Sequence, residues 1–247
     1  MWRTEDFTAA QIRDLRMCMQ EALTPSGPAV PEGWSVSPVD PAGIVDCLDH
    51  VEVKKGVCLG AYQYREGENG SGLVFALPGD AEFPEPRECM VPEMGTVSGV
   101  PVERPAPPAA LDHYMEAFDG DGSPRSYLEA SIALRELGEL GSHGHGRNWA
   151  QHVVLDTNPF TEGVPPSVPL DTLRVRDASE WRWEHRPGCW RPTVIAAEGG
   201  GAEVSFIAFN PLGRFTLYQA TDYYRPNDLR SRGGGRVLAF GPRSMPD

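Results

Sequence analysis

The sequence predicts an α+β fold in which a C-terminal antiparallel sheet is covered by two or three helices, with long proline-rich loops between elements. Three observations carry this reading. Five strand-like runs follow one another beyond residue 179: EWRWEHR, WRPTVIAAE, AEVSFIAF, RFTLYQATDYY and GRVLAFG. The joints EGGGAE and NPLG mark tight turns between consecutive strands, as in a meander. Two stretches, near residues 4–23 and 123–140, carry apolar residues at helical spacing. Finally, 40% hydrophobic and 23% charged residues over 247 positions suit a globular chain with a sizeable core. The 27 glycines and 24 prolines call for many turns.

Taken in order, TEDFTAAQIRDLRMCMQEAL is an amphipathic helix with Ile12, Leu15, Met19 and Leu23 on one face and Thr4 or Thr8 as its cap. The prolines of TPSGPAVPEGWSVSPVDP forbid regular structure there, and a short helical turn follows from Pro41 to about His50. VCLGAYQYRE and LVFALP form a hairpin around GENGSG. From Gly79 to Pro108 the chain reads as a long surface loop with one short strand near Thr96–Val102. AALDHYMEAF and SPRSYLEASIALRELGEL are helices. In the second, Ser123 is the N-cap, Pro124 fills the first position and Gly141 is the stop. NWAQHVVLD is then a strand with Trp149, Gln151, Val153 and Leu155 on one face. Residues 1–108 thus make an acidic helix-plus-hairpin lobe with a proline-rich loop. Residues 109–247 make a helical pair followed by the sheet, as a separate lobe or as one continuous domain.

Charge is unevenly placed. The chain carries 21 acidic and 8 basic residues up to Pro124 and 14 of each beyond it, so the whole excess of −13 lies in the first half. Such a surface disfavours nucleic acid and anionic membrane. No apolar run approaches the roughly 18–20 residues that span a bilayer, and MWRTEDFTAAQIRDLRM lacks the apolar core of a secretory signal. A soluble, cytoplasmic protein is expected. Cys18, Cys47, Cys58, Cys89 and Cys189 are odd in number and form no CxxC pair, which predicts free thiols rather than a disulfide framework.

The densest chemistry lies in GSHGHGRNWAQH, residues 141–152. His143, His145 and His152 offer imidazole nitrogens to a divalent metal, with Asp156 or His113 brought in by the fold. Of these, His145 and His152 are the candidate catalytic residues, and apart from such a metal no cofactor is expected. EAFDGDGSPRSYLEA places Asp119, Asp121 and Ser123 at alternate positions, but a calcium loop needs glycine where Pro124 stands and glutamate where Ala130 stands. Trp181 and Trp183 share a strand face, with Arg182 on the other, and are candidate ligand-binding residues on the floor of a pocket. RPNDLRSRGGGR gathers Arg225, Arg230, Arg232 and Arg236 with three glycines and reads as a flexible surface loop, with anion binding as the alternative. No phosphate-binding glycine motif is present. The expected function is that of an acidic binding protein engaging a protein partner or small ligand. The alternative is a hydrolase-type enzyme, metal-dependent, centred on the three histidines.

Overall fold

The computed structural model describes residues 2–24, 31–97, 100–144, 149–160 and 178–243. It has mixed α+β composition with antiparallel sheets. Strand β1 (Trp2–Asp6) precedes helix α1 (Ala9–Ala22). The helix starts on a capping box: Gln11 N donates to Thr8 Oγ1 at 3.2 Å, and Thr8 N donates to Gln11 Oε1 at 2.8 Å. Thr4, the other expected cap, lies within β1. Ile12, Leu15 and Met19 are buried, on the face that the periodicity marked. After β2 (Gly33–Val36), Asp40 caps a 3-10 helix at Pro41–Cys47, with Ala42 N donating to its carboxylate at 2.8 Å.

Strand β3 (Val51–Val53) is followed by the expected hairpin, β4 (Val57–Glu66) and β5 (Asn69–Pro78). Its turn is the pair Gly67–Glu68, with Gly67 at φ +59. The expected surface loop beyond it contains a second hairpin, β6 (Met90–Val97) and β7 (Val100–Pro105). A two-stranded ladder gives each strand a free side, so Pro92, Pro101 and Pro105 fit without breaking the pairing, and a register shift falls between Val91 and Met94, around Pro92.

The helix expected over 109–118 shrinks to a 3-10 turn at Tyr114–Ala117 and continues as β8 (Phe118–Gly120). Met115 N donates to the His113 ring at 3.1 Å, a local bond that competes with helix, and Phe118–Gly120 pairs with β3. Helix α2 (Pro124–Gly138) starts as expected, with Ser126 N donating to Ser123 Oγ at 3.2 Å. It ends three residues before Gly141, which takes φ +72. The strand expected from residue 148 is instead a 3-10 turn at Trp149–Gln151 and a short β9 (Val153–Leu155). The Glu139 carboxylate accepts the N–H groups of both Trp149 and Ala150, which keeps them out of a ladder.

The C-terminal meander comprises β10 (Arg182–Trp183), β11 (Thr193–Ala197), β12 (Ala202–Asn210), β13 (Arg214–Arg225) and β14 (Asp228–Arg243). The RPNDLRSRGGGR segment is not a loop. Pro226–Asn227 turns the β13–β14 hairpin, with Asn227 at φ +56, and the three glycines sit in β14. A Cβ on Gly233 would stand 2.2 Å from Thr221 O, so the ladder itself requires glycine there. Arg236 donates to Gln219 Oε1 at 2.7 Å and Arg230 pairs with Asp228, so neither completes an anion nest.

The chain forms two compact units, Met1–Leu15 with Gly122–Ser131 and Gln151–Asp247, and Arg16–Asp121 with Ile132–Ala150. The first holds a sheet in the order β1-β11-β12-β13-β14-β10, with β9 beside β12. Its core packs Leu155, Trp181, Ile207, Phe209, Leu217 and Leu238. Tyr127 Oη accepts from Gly201 N at 3.0 Å, and Ser131 donates to Asp222, tying the start of α2 to this sheet. The second unit holds the sheets β2-β4-β5, β3-β8 and β6-β7. Tyr62, Leu77, Met115 and Phe118 are buried there.

The expectation of free thiols throughout is corrected by a Cys18–Cys47 disulfide in the second unit, with Cα atoms 5.8 Å apart. The end of α1 and the Pro41–Cys47 turn come close enough that a Cβ on Gly43 would contact Ala22. Cys58, Cys89 and Cys189 are free, and Cys189 is exposed rather than packed away. Among the described residues no helix is long and apolar enough to cross a membrane.

Candidate ligand-binding cleft

The second unit contains a cleft of about 540 Å³ between the end of α1, the β4–β5 hairpin and the segment Glu136–His143. Glycines set its shape. A Cβ on Gly72 would stand 2.2 Å from Leu140 O, and one on Gly141 would stand 2.5 Å from Gln63 Nε2. A Cβ on Gly70 would lie 1.8 Å from the His143 ring, so the imidazole occupies the space that any other side chain at position 70 would need. Gly70 and His143 also exchange backbone hydrogen bonds of 3.2 and 3.3 Å. The GSHGHG segment therefore docks on the hairpin instead of turning freely in solvent.

The floor is a buried ionic network. Arg16 Nε donates to Glu136 Oε1 at 2.7 Å, and Arg16 Nη2 donates to Trp149 O at 2.8 Å. Trp149 Nε1 donates to the same carboxylate at 2.9 Å and Gln20 Nε2 donates to it at 3.2 Å. The Arg16 guanidinium lies 4.2 Å above the Trp149 ring. Arg16, Glu136 and Trp149 are each less than a tenth exposed. Paired and saturated in this way, a buried carboxylate is tolerated.

Around that floor, polar atoms face the cleft with capacity to spare. Gln63 is 6% exposed, lines the cleft, and its Oε1 has no hydrogen-bond partner among the described residues. His143 Nδ1 lies 3.2 Å from Gly141 O. A carbonyl can only accept, so Nδ1 carries the proton and Nε2 keeps its lone pair in the neutral ring. Burial, then the Glu66 and Glu32 carboxylates, raise the pKa of the lining Tyr64, which stays a neutral phenol. Leu23 and Leu140 add apolar surface.

Of the histidines singled out in the sequence, His143 lines this cleft. His145 lies outside the described residues. His152 belongs to the other unit, is buried, and places Nδ1 2.6 Å from Tyr218 Oη. Asp156 accepts from Ala9 N at 2.8 Å, at the start of α1, where a carboxylate satisfies an otherwise orphaned donor. His113 caps the Tyr114–Ala117 turn. Among the described residues no group of three or more His, Cys, Asp and Glu is placed to hold a metal ion. Asp119 and Asp121, which a calcium loop would use, instead pair with Lys54 at 3.4 Å and His50 at 2.7 Å.

Trp181 is 5% exposed within the core of the first unit, edge-on to Phe160 at 5.6 Å. Trp183 is half-buried beside Phe160, with the Arg186 guanidinium 4.0 Å above its ring. Arg182 is exposed and pairs with Glu184 at 2.8 Å. The residues that sequence reading missed are Gln63, Glu136 and Glu139. No local motif marks them. The one sequence signal is the recurrence of glycine at 70, 72, 141 and 144, which betrays two backbones in close approach.

Comparison with known protein families, with curated proteins and with solved structures gave no match to this chain.

Proposed function

We propose that the protein binds a small polar molecule in the cleft of its second unit, with Gln63 and His143 as the polar anchors. The observation that carries this reading is Gln63 Oε1, a buried acceptor without a partner among the described residues in a cleft of ligand size. Leaving such an atom unsatisfied costs about 1–3 kcal/mol, which a ligand donor recovers on binding. Leu23, Leu140 and Tyr64 supply the apolar wall that small-molecule sites generally have. The Cys18–Cys47 disulfide favours an oxidising compartment over the cytoplasm that the sequence suggested.

The test is a small-molecule screen followed by amide NMR. Hits should shift the resonances of Gln63, Ser142 and His143 and saturate. Gln63→Leu, which removes the acceptor and keeps the bulk, should leave the protein folded and weaken those hits at least tenfold. A screen in which no compound moves these resonances, or hits indifferent to Gln63→Leu, would sink the proposal.

A further inference from the structure

We infer that the ligand of this cleft is an organic cation, a primary ammonium on an apolar body; the inference rests on the cleft reading above and adds the chemistry of the occupant. Three independent features lead there. The first is the balance of hydrogen-bonding capacity. Gln63 Oε1 is a buried acceptor without a partner among the described residues, and the His143 tautomer set by Gly141 O leaves Nε2 as another acceptor. Both ask for a donor, and an ammonium offers three and accepts none.

The second feature is charge. Glu68, Glu136 and Glu139 line the cleft against a single cation, Arg65. Arg65 lies 3.7 Å from Glu32, and Arg16 neutralises Glu136 from beneath. Including those two partners still leaves two negative charges in excess. The unit as a whole carries 20 acidic and 8 basic residues, so nearly the full −13 of the chain resides on the unit that holds the cleft. A concave site lined by one sign of charge concentrates ligands of the opposite sign. An anionic ligand would meet repulsion and unmatched acceptors together.

The third feature is size and surface. A cleft of about 540 Å³ is far larger than a bare inorganic cation needs, and the described residues hold no metal-ligand cluster. Leu23, Leu140 and the Tyr64 ring give an organic body something to cover.

The experiment uses three probes of one shape, phenethylammonium, 2-phenylethanol and 3-phenylpropanoate, titrated into the isotopically labelled full-length chain at low salt. Phenethylammonium should shift and saturate the Gln63, Ser142 and His143 signals at millimolar concentration or below, and bind at least tenfold tighter than either analogue. Raising the salt to 0.5 M should weaken it severalfold. Glu68→Gln should weaken it severalfold and Gln63→Leu tenfold, with amide spectra elsewhere unchanged. Glu68 is exposed, so that variant does not threaten folding. An alcohol or carboxylate that binds as well as the amine, in a manner lost in Gln63→Leu, would overturn the cation and leave the cleft reading standing. Amine binding that ignores both substitutions would mark diffuse attraction to an acidic surface and also overturn it. Silence of the cleft to all three probes and to the wider screen would remove both readings.

Discussion

At residue 16 an arginine sits in a helix whose neighbours Arg13 and Asp14 are plain surface groups paired with each other at 2.8 Å. Nothing local distinguishes it, and its role comes from Glu136 and Trp149, more than a hundred positions away. Arg16→Met should destabilise the fold by about 3–5 kcal/mol, since it strands a buried carboxylate. Arg16→Met with Glu136→Leu should recover much of that loss, because no charge is then left unpaired. Chemical denaturation of the three variants checks this, and equal losses in the single and double variants would refute the account. Gln63 was equally illegible in the sequence. In its strand it is one polar residue between two tyrosines, and only the arrival of Gly141 against it makes it a buried acceptor. Ser123 and Thr8 were legible, because a cap acts on residues two or three places away and needs no tertiary context.

The same division between local and distant causes governs the elements. The β4–β5 hairpin, both helices and the C-terminal strands follow from periodicity and turn chemistry. The β6–β7 hairpin escaped because proline was weighed as a breaker, although a two-stranded ribbon has two free edges where proline fits. The helix expected at 109–118 and the strand expected at 148–151 gave way to side chains, His113 and Glu139, that take over backbone donors. Two predictions belong at this scale. Gly70→Ala forces a methyl group into the His143 ring, so it should cost about 1–3 kcal/mol and displace the His143 and Ser142 amide signals. An unperturbed spectrum would show that the segment does not dock as described. The bond between α1 and the Pro41–Cys47 turn predicts three titratable thiols in denaturant without reductant and five with it. Closing a loop of 29 residues stabilises by about 3–4 kcal/mol on chain-entropy grounds, so reduction or a Cys18→Ser/Cys47→Ser variant should lower the denaturation midpoint accordingly. Five thiols without reductant would contradict the pairing. Widely separated cysteines, odd in number, gave no hint of it.

For the molecule as a whole, the α+β class and the antiparallel meander were legible, as was the acidic bias of the first half. The units are what the linear sequence concealed. Each is assembled from separate stretches of chain, and sorting residues by unit sharpens the charge contrast. One unit is close to neutral while the other carries nearly all the negative charge. The strand β1 has a further consequence for biogenesis. It pairs with β11 across almost the full chain, Trp2 opposite Ala197. At roughly 5–20 residues per second, a translating ribosome exposes β1 on the order of ten to forty seconds before its partner exists. For that interval it is an unpaired strand, the kind of segment that seeds aggregation. The composition of WRTED answers the hazard: Arg3, Glu5 and Asp6 make it a poor template for stray pairing, so the nascent chain can wait for the sheet to close.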